Sequence, residues 1–217
     1  MALTLYVGSK RYSSWSLRPY LALAQTGAQF ETVTILLDQS DTKSKIAAVS
    51  PAGRVPVLHH DELVIWDSLA ICEYLDRRYP GLDFLPKDAW QRAEALSQLA
   101  WMNNTVHPTF THVFRPSDFI DDEGAQQQMK RFNAVKFRAR LERLQQWIGK
   151  ASPFWFGAKP SFHDAYCFTF LRWGGFAGID PKSLPQYYAY ITERVMPHPA
   201  VAAALSRERV GLDTFKG

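Results

Sequence analysis

The chain has 217 residues, enough for one large domain or two small ones, each with its own core. Its 47% hydrophobic and 21% charged residues are ordinary for a globular protein, and no run approaches the ~20 apolar residues that span a bilayer. The formal net charge of +4 rests largely on Lys130, Arg131, Lys136, Arg138, Arg140 and Arg143 in one helical stretch, where interleaved apolar residues indicate a solvated helix face, or mild steering of an anionic substrate, rather than a nucleic-acid footprint.

In chain order, Leu3 to Val7 reads as a buried strand that starts without a basic stretch before it, so a strand and not a signal peptide is expected at the N-terminus. Leu17 to Ala28 reads as a helix, and the β-branched, apolar Thr32 to Leu37 as a second strand. A polar, loosely helical segment from Asp38 to Val49 follows. Val55–His59 and Glu62–Ile65 then face each other across His60-Asp61 as a hairpin. Ser68 to Arg78 closes the series as a helix, ended by Tyr79-Pro80-Gly81. The order βαβαββα, a parallel βαβ unit joined to an antiparallel hairpin, predicts a four-stranded mixed sheet with helices on it.

From about Ala89 the strand pattern stops. Leu96, Leu99, Ala100, Val106, Phe110 and Val113 recur at helical spacing, as do Met129, Phe132, Phe137, Leu141, Leu144 and Ile148. Shorter helical segments are expected near Asp164–Trp173, Leu184–Val195 and Ala200–Arg207. The expected organisation is therefore α/β plus all-α: residues 1–80 as a first domain, 81–90 as a proline-bracketed linker, and 91–217 as an all-helical domain. Cys72 and Cys167 sit far apart in apolar helical patterns, with no Cys-x-x-Cys pair. They read as two buried, reduced thiols, and a cytoplasmic location is expected. No spacing of metal ligands stands out.

Chemistry concentrates in three places. Between the first strand and first helix lies Ser9-Lys10-Arg11-Tyr12-Ser13-Ser14-Trp15-Ser16-Leu17-Arg18-Pro19. Proline is tolerated in the first helical turn, so Pro19 places the helix start at Leu17 and makes Ser16 its N-cap. Ser13 and Ser14 then lie just ahead of a helix N-terminus, where a hydroxyl can donate to an anion held in the helix field. A serine-hydrolase triad fits poorly, because no Gly-x-Ser-x-Gly elbow is present. Further on, Ser50-Pro51-Ala52-Gly53-Arg54-Val55-Pro56-Val57-Leu58 enters a strand through Val-Pro. A cis bond at Pro56 would turn the Val55 N–H and C=O toward a ligand's peptide group; a trans proline at an edge strand is the plain alternative. Finally, Asp67 and Ser68 open a helix, as a carboxylate for an amine and a set of N–H groups for a carboxylate, or as simple caps.

Together these residues resemble the cytosolic glutathione transferase superfamily, over nearly the whole chain. The Ser-Pro-Ala-Gly-Arg-Val-Pro-Val-Leu loop and the Asp-Ser-Leu-Ala-Ile helix start match its glutathione site. Ser161-Phe162-His163-Asp164 matches the capping box that opens a core helix of its second domain, a structural motif. The resemblance implies a thioredoxin-like N-terminal domain, an all-helical C-terminal domain, glutathione as co-substrate, a detoxification-type role and usually a homodimer, with neither nucleic acid nor membrane as partner. It also implies roles: Val55 beside cis Pro56 for the cysteinyl backbone of glutathione, Asp67 and Ser68 for its γ-glutamyl end, and Arg54 or Lys45 for its glycyl carboxylate. The serine-type classes (theta, zeta and relatives) begin a Ser-Pro-x-Ser-x-Arg pattern with the activating serine. Aligned on Ser16 and Arg18 that residue is Ser13, and a one-residue slip of the loop makes it Ser14.

The implied activity is glutathione transfer: a hydroxyl donor and the helix field favour the thiolate, which attacks a small, partly apolar electrophile. A free thiol has a pKa near ~8.5, and one pKa unit corresponds to about 1.4 kcal/mol, within reach of a charge-assisted hydrogen bond. The electrophile is expected between the domains, against Trp15, Trp101, Asn103, His107, Phe110 and Arg115, with Arg115 and Arg11 favouring an anionic one. Tyr6, in the strand where tyrosine-type classes keep their activating residue, is expected to be packed. A glutathione-dependent isomerase or peroxidase, or a binding module without turnover, are the rival readings. Trp15 stands where zeta-type isomerases carry cysteine, and position 13 is not cysteine, which disfavours isomerisation and mixed-disulfide chemistry.

Overall fold

The computed structural model describes residues 2–9, 13–148, 153–208 and 212. They fall into two compact units, one of residues 1–84 with the chain from Pro197, the other spanning Leu85–Met196.

The first unit is built on a four-stranded sheet in the order β2-β1-β3-β4. Strand β1 (Leu3–Val7) pairs in parallel with β2 (Glu31–Thr34) and antiparallel with β3 (Val57–His60), which pairs antiparallel with β4 (Leu63–Trp66). The expected mixed sheet is present. Its hairpin turns at Asp61-Glu62, one residue later than the alternation suggested, because Asp61 takes a left-handed backbone, φ +52°, suited to a two-residue loop. Its carboxylate accepts from Ala2 N–H at 2.9 Å, tying the turn to the start of β1. Strand β2 stops at Thr34, where the pattern carried it to Leu37; beyond it the Ile35 N–H donates to Val7 C=O of β1 (2.8 Å).

Helix α1 (Ser14–Gln25) and helix α3 (Ser68–Arg78) pack on each other, with Leu17, Leu21, Leu23, Ile71, Cys72 and Leu75 buried. Between β2 and β3 the short α2 (Thr42–Ala47) buries only Ile46. Helix α1 starts three residues before the position Pro19 had marked. The proline sits inside the helix, where it removes one backbone hydrogen bond. Ser16, Leu17 and Arg18 are all fully buried, so packing and the Ser13 cap hold a helical turn that the proline rule alone would not place there. The last helix, α9 (Pro199–Glu208), returns to pack on α1 through this same unit, with Val201, Ala204 and Leu205 buried.

The second unit is helical. Helix α4 (Ala89–Trp101) runs through a π-helical turn, Met102–Val106, into α5 (His107–Phe114). Pro108 lacks the N–H that an uninterrupted α-helix would offer Asn104 C=O, and its ring would strike that carbonyl. The widened turn, with His107 N–H bonded to Met102 C=O, relieves both. Helix α6 (Glu123–Ile148) packs on α5 and α7 (Phe162–Gly174), with Phe137, Leu141, Leu144 and Ile148 buried. On its outer side Arg131, Lys136, Arg138 and Arg143 are exposed, with Arg138 paired to Glu142 at 3.0 Å and the Lys136 ammonium 4.1 Å from the Phe132 ring centroid.

Every residue of α7 is buried. Its start is the expected capping box. Asp164 accepts from Ser161 N–H (2.5 Å) and Ser161 O–H (2.7 Å), and also from the Tyr190 hydroxyl. Burial pushes the Asp164 carboxyl up against those three donors. Helix α8 (Pro185–Ala189) and a second π turn, Tyr190–Val195, pack against α7 and α6. Cys72 and Cys167 are both buried and unbridged.

Candidate active site

The strand register decides what meets at one end of the first unit's sheet. Tyr6 pairs with Val57 and Val57 with Trp66, while Val7 pairs with Thr34. The chain leaving β1 toward α1, entering β3 from the Ser50–Pro56 loop, and leaving β4 toward α3 therefore gathers at that end. Both α1 and α3 begin there, so two helix N-termini contribute positive partial charge to one region.

At the α1 start, Ser13 is the N-cap, with extended backbone (φ −95°, ψ 100°). Its Oγ accepts from Ser16 N–H at 3.4 Å, and a 3.0 Å hydrogen bond joins the two hydroxyls. Gly8 N–H, just beyond β1, donates to Ser16 Oγ at 3.0 Å. Ser16, expected to be the cap, is instead fully buried beneath it. A side chain at Gly8 would stand 3.3 Å from Ser13 Cβ and 3.0 Å from Leu37 Cδ1, so glycine lets the loop close on itself. Ser14 has helical backbone, but its side chain and all of Arg11 lie outside the described residues. Trp15 is exposed on the first turn. Tyr6 is half-buried, its ring 4.7 Å from that of His59.

The loop before β3 is shaped by Ser50, which the motif contained but whose role pattern reading did not isolate. Its hydroxyl donates to Arg54 C=O (2.7 Å) and accepts from Arg54 N–H (3.2 Å), while Gly53, at φ +63°, turns back to Ser50 C=O. The adjacent Ser-x-x-Gly spacing was the available signal. Arg54 is left exposed. The Val55–Pro56 peptide is cis, Pro56 is buried and Val55 half-buried. Lys45, on α2, is exposed and paired with Asp41 at 2.6 Å.

At α3, Asp67 has φ +78° and ψ 131°, a backbone region that costs a non-glycine residue about 1–3 kcal/mol and is concentrated at functional sites. Its Oδ1 accepts from Leu69 N–H (2.8 Å) and Ala70 N–H (3.3 Å). Asp67 is thus the cap, and two of the N–H groups expected to await a carboxylate are already used. Ser68 is 1% exposed, and its Oγ has no hydrogen-bond partner among the described residues. A buried hydroxyl without a partner costs about 1–3 kcal/mol, so an incoming polar group gains by meeting it.

The remaining candidates lie in the helical unit. Trp101 is half-buried, edge-on to Trp147 with ring centroids 5.0 Å apart. Asn103 is half-buried within the π turn. His107 and Phe110 are buried against Trp173, at 4.8 Å edge-on and 4.1 Å stacked. Arg115 is exposed and paired with Asp118 at 3.1 Å. Among the described residues no cluster of three or more His, Cys, Asp or Glu is arranged to hold a metal, and no helix is long and apolar enough to cross a membrane.

Comparison with known proteins finds similar chains over most of the sequence. A family model for the N-terminal domain of glutathione S-transferases matches residues 12–78. A glutathione S-transferase of Escherichia coli O157:H7 is 28% identical over 200 residues, 89% of this chain and 94% of that protein. A probable maleylacetoacetate isomerase of Caenorhabditis elegans is 40% identical over 91 residues, a match spanning 42% of each chain. Among solved structures, a sphingomonad glutathione S-transferase complexed with glutathione superposes with a TM-score of 0.80 at 26% identity, covering 96% of this chain and all of that one.

Proposed function

Because the chain belongs to the glutathione S-transferase superfamily, we propose that it is a glutathione transferase whose N-terminal sheet end binds glutathione and raises the fraction of its thiol present as thiolate. The observation that carries this reading is the register Tyr6, Val57, Trp66, which gathers the Ser13 hydroxyl, the cis Val55–Pro56 peptide and the unpartnered Ser68 hydroxyl at two helix N-termini.

In this reading the Val55 backbone pairs with the cysteinyl residue of glutathione as an added strand would. Ser68 O–H and the Asp67 carboxylate hold the γ-glutamyl carboxylate and ammonium. Arg54 or Lys45 meets the glycyl carboxylate. Ser13 donates its O–H to the sulfur, with Ser14 as the competing donor. The thiol proton leaves to solvent. The sulfur lone pair then forms a C–S bond to the electrophilic carbon, and the electron pair displaced from that carbon departs with the leaving group or moves into an adjacent acceptor. Ser13 remains a hydrogen-bond donor throughout and forms no covalent intermediate.

The helical residues from 91 onward supply the pocket for a small, partly apolar electrophile. Trp101, Asn103 and Arg115 are its candidate contacts in that unit, while His107 and Phe110, packed on Trp173, act by shaping the helix that carries them. A homodimer and a cytoplasmic location complete the proposal. Isomerisation is the second reading, favoured by the match to the nematode relative and opposed by Trp15 at the position where zeta-type isomerases carry cysteine.

The test is the ultraviolet thiolate absorbance of bound glutathione, titrated over pH in wild type, Ser13→Ala and Ser14→Ala, with turnover of a halogenated nitroaromatic alongside. Wild type is expected to ionise the bound thiol at least one unit below ~8.5, and only Ser13→Ala to lose that shift. Unshifted ionisation in wild type would remove thiolate activation and leave a binding module.

A further inference from the structure

We infer that Ser16 is a positioning residue for the transfer reaction: it fixes the direction of the Ser13 hydroxyl proton, so that Ser13 presents O–H to the sulfur and keeps its oxygen turned inward. The inference deepens the glutathione reading and rests on Ser13 being the donor.

The argument is a proton count. Ser13 and Ser16 bring two hydroxyl hydrogens to a pair of oxygens 3.0 Å apart, and heavy-atom positions alone leave open which of them lies between the oxygens. Ser16 is fully buried, and its Oγ already accepts from Gly8 N–H. The acceptor available to its own proton among the described residues is Ser13 Oγ. Were Ser13 to donate instead, Ser16 would hold two incoming donors and bury a hydroxyl hydrogen with nowhere to go, the arrangement native interiors avoid. Ser16 therefore donates. Ser13 Oγ then accepts twice, from Ser16 O–H and from Ser16 N–H, which fills both lone pairs. Its single remaining function is to donate its own proton, and the residue retains slight exposure at the open end of α1.

Direction brings strength with it. The chain Gly8 N–H to Ser16 O–H to Ser13 O–H polarises each member, and a hydroxyl whose oxygen accepts is a better donor. The backbone amide that ends β1 is thereby linked through two side chains to the reacting sulfur. Ser16 touches no substrate; it acts through Ser13.

The experiment measures the pKa of bound glutathione thiol and the pH profile of kcat in wild type, Ser13→Ala, Ser16→Ala and Ser16→Thr. Ser13→Ala is expected to raise the bound pKa by about one to two units, the loss of one charge-assisted hydrogen bond. Ser16→Ala is expected to raise it by roughly half a unit or more, which is about a threefold loss of kcat at pH 6.5 recovered at high pH, with the KM for glutathione unchanged. Ser16→Thr, which keeps the hydroxyl, restores the wild-type profile. If Ser16→Ala does not fold, the near-isosteric Ser16→Cys replaces it, since S–H is a weak donor and the same upward shift is expected. A shift in Ser13→Ala with none in the Ser16 variants overturns the positioning role and leaves the glutathione reading standing. No shift in either residue's variants overturns that reading as well. A loss confined to KM would assign Ser16 to holding the loop and remove the proposed role.

Discussion

His163 shows how far a residue's setting can move its chemistry. It lies on the first turn of α7, fully buried between Trp155, stacked at 5.1 Å, and Phe156, edge-on at 4.8 Å, and its Nε2 is 3.0 Å from Ala95 C=O. Burial pushes its pKa down from 6.5 to about 3, the bond to Ala95 opposing. The folded value lies below the unfolded one, so the unfolded chain binds the proton first as pH falls. The stabilisation is complete above about pH 6.5 and is lost as pH falls toward 3. By pH 4.5 the loss amounts to about 2–3 kcal/mol. Urea unfolding of wild type and His163→Asn at pH 7 and 4.5 tests this; Asp164, common to both, cancels. Wild type should lose stability over that interval by about the stated amount more than the variant, and parallel losses would exclude His163 as the source. The sequence offered this histidine only as the third letter of a capping box. Nothing in its neighbours along the chain announced a ring held neutral between two aromatics, because Trp155 and Phe156 precede it by a loop whose path only tertiary packing decides.

At the scale of elements, α3 is opened by a residue with two duties that can be separated. As a cap, Asp67 bonds Leu69 and Ala70 N–H; as a charge, it is proposed to hold an ammonium. Asparagine caps as well as aspartate and tolerates positive φ. Asp67→Asn should therefore keep the unfolding midpoint within about 0.5 kcal/mol of wild type, whereas Asp67→Ala should lose about 1 kcal/mol. Both should weaken glutathione binding tenfold or more, the cost of a hydrogen bond to a charged group, as read by calorimetric titration. Equal affinity in Asp67→Asn would confine the residue to capping. Element types were legible from the residue pattern: an apolar run for β1, β-branched residues for β2, two short apolar runs across a turn for β3 and β4, the 3.6-residue period beyond Ala89, and the Ser161/Asp164 box at α7. Element edges were less so. Pro19 carried a strong local rule that the burial of Ser16, Leu17 and Arg18 overrode, and the π turn at Met102–Val106 follows from Pro108 only once α4 and α5 are known to be continuous.

For the whole molecule, the feature that pattern reading did not foresee is α9 docking on α1, since no local signal says which face a short C-terminal helix will cover. Leu205, 4% exposed, tests how much this docking contributes. Leu205→Ala should cost about 2 kcal/mol, the low end for a buried leucine, and should lower the midpoint of the transition that releases bound glutathione. An unmoved midpoint would make α9 an appendage to the fold. Candidate glutathione residues could be proposed from sequence because their spacing within short loops is tied to turns and caps. Candidate electrophile contacts carry no such local signal, because the neighbours of those side chains are set by packing. The position of α9 also bears on synthesis. A ribosome releases β1 and α1 well before α9, so the helix that Ser13 caps remains uncovered while the intervening helices emerge. The nascent chain thus depends on a contact of very long sequence separation, slow to close and exposed to association in the interval. A chain stalled or cut ahead of Pro199 would leave the domain of β1 and α1 unfinished.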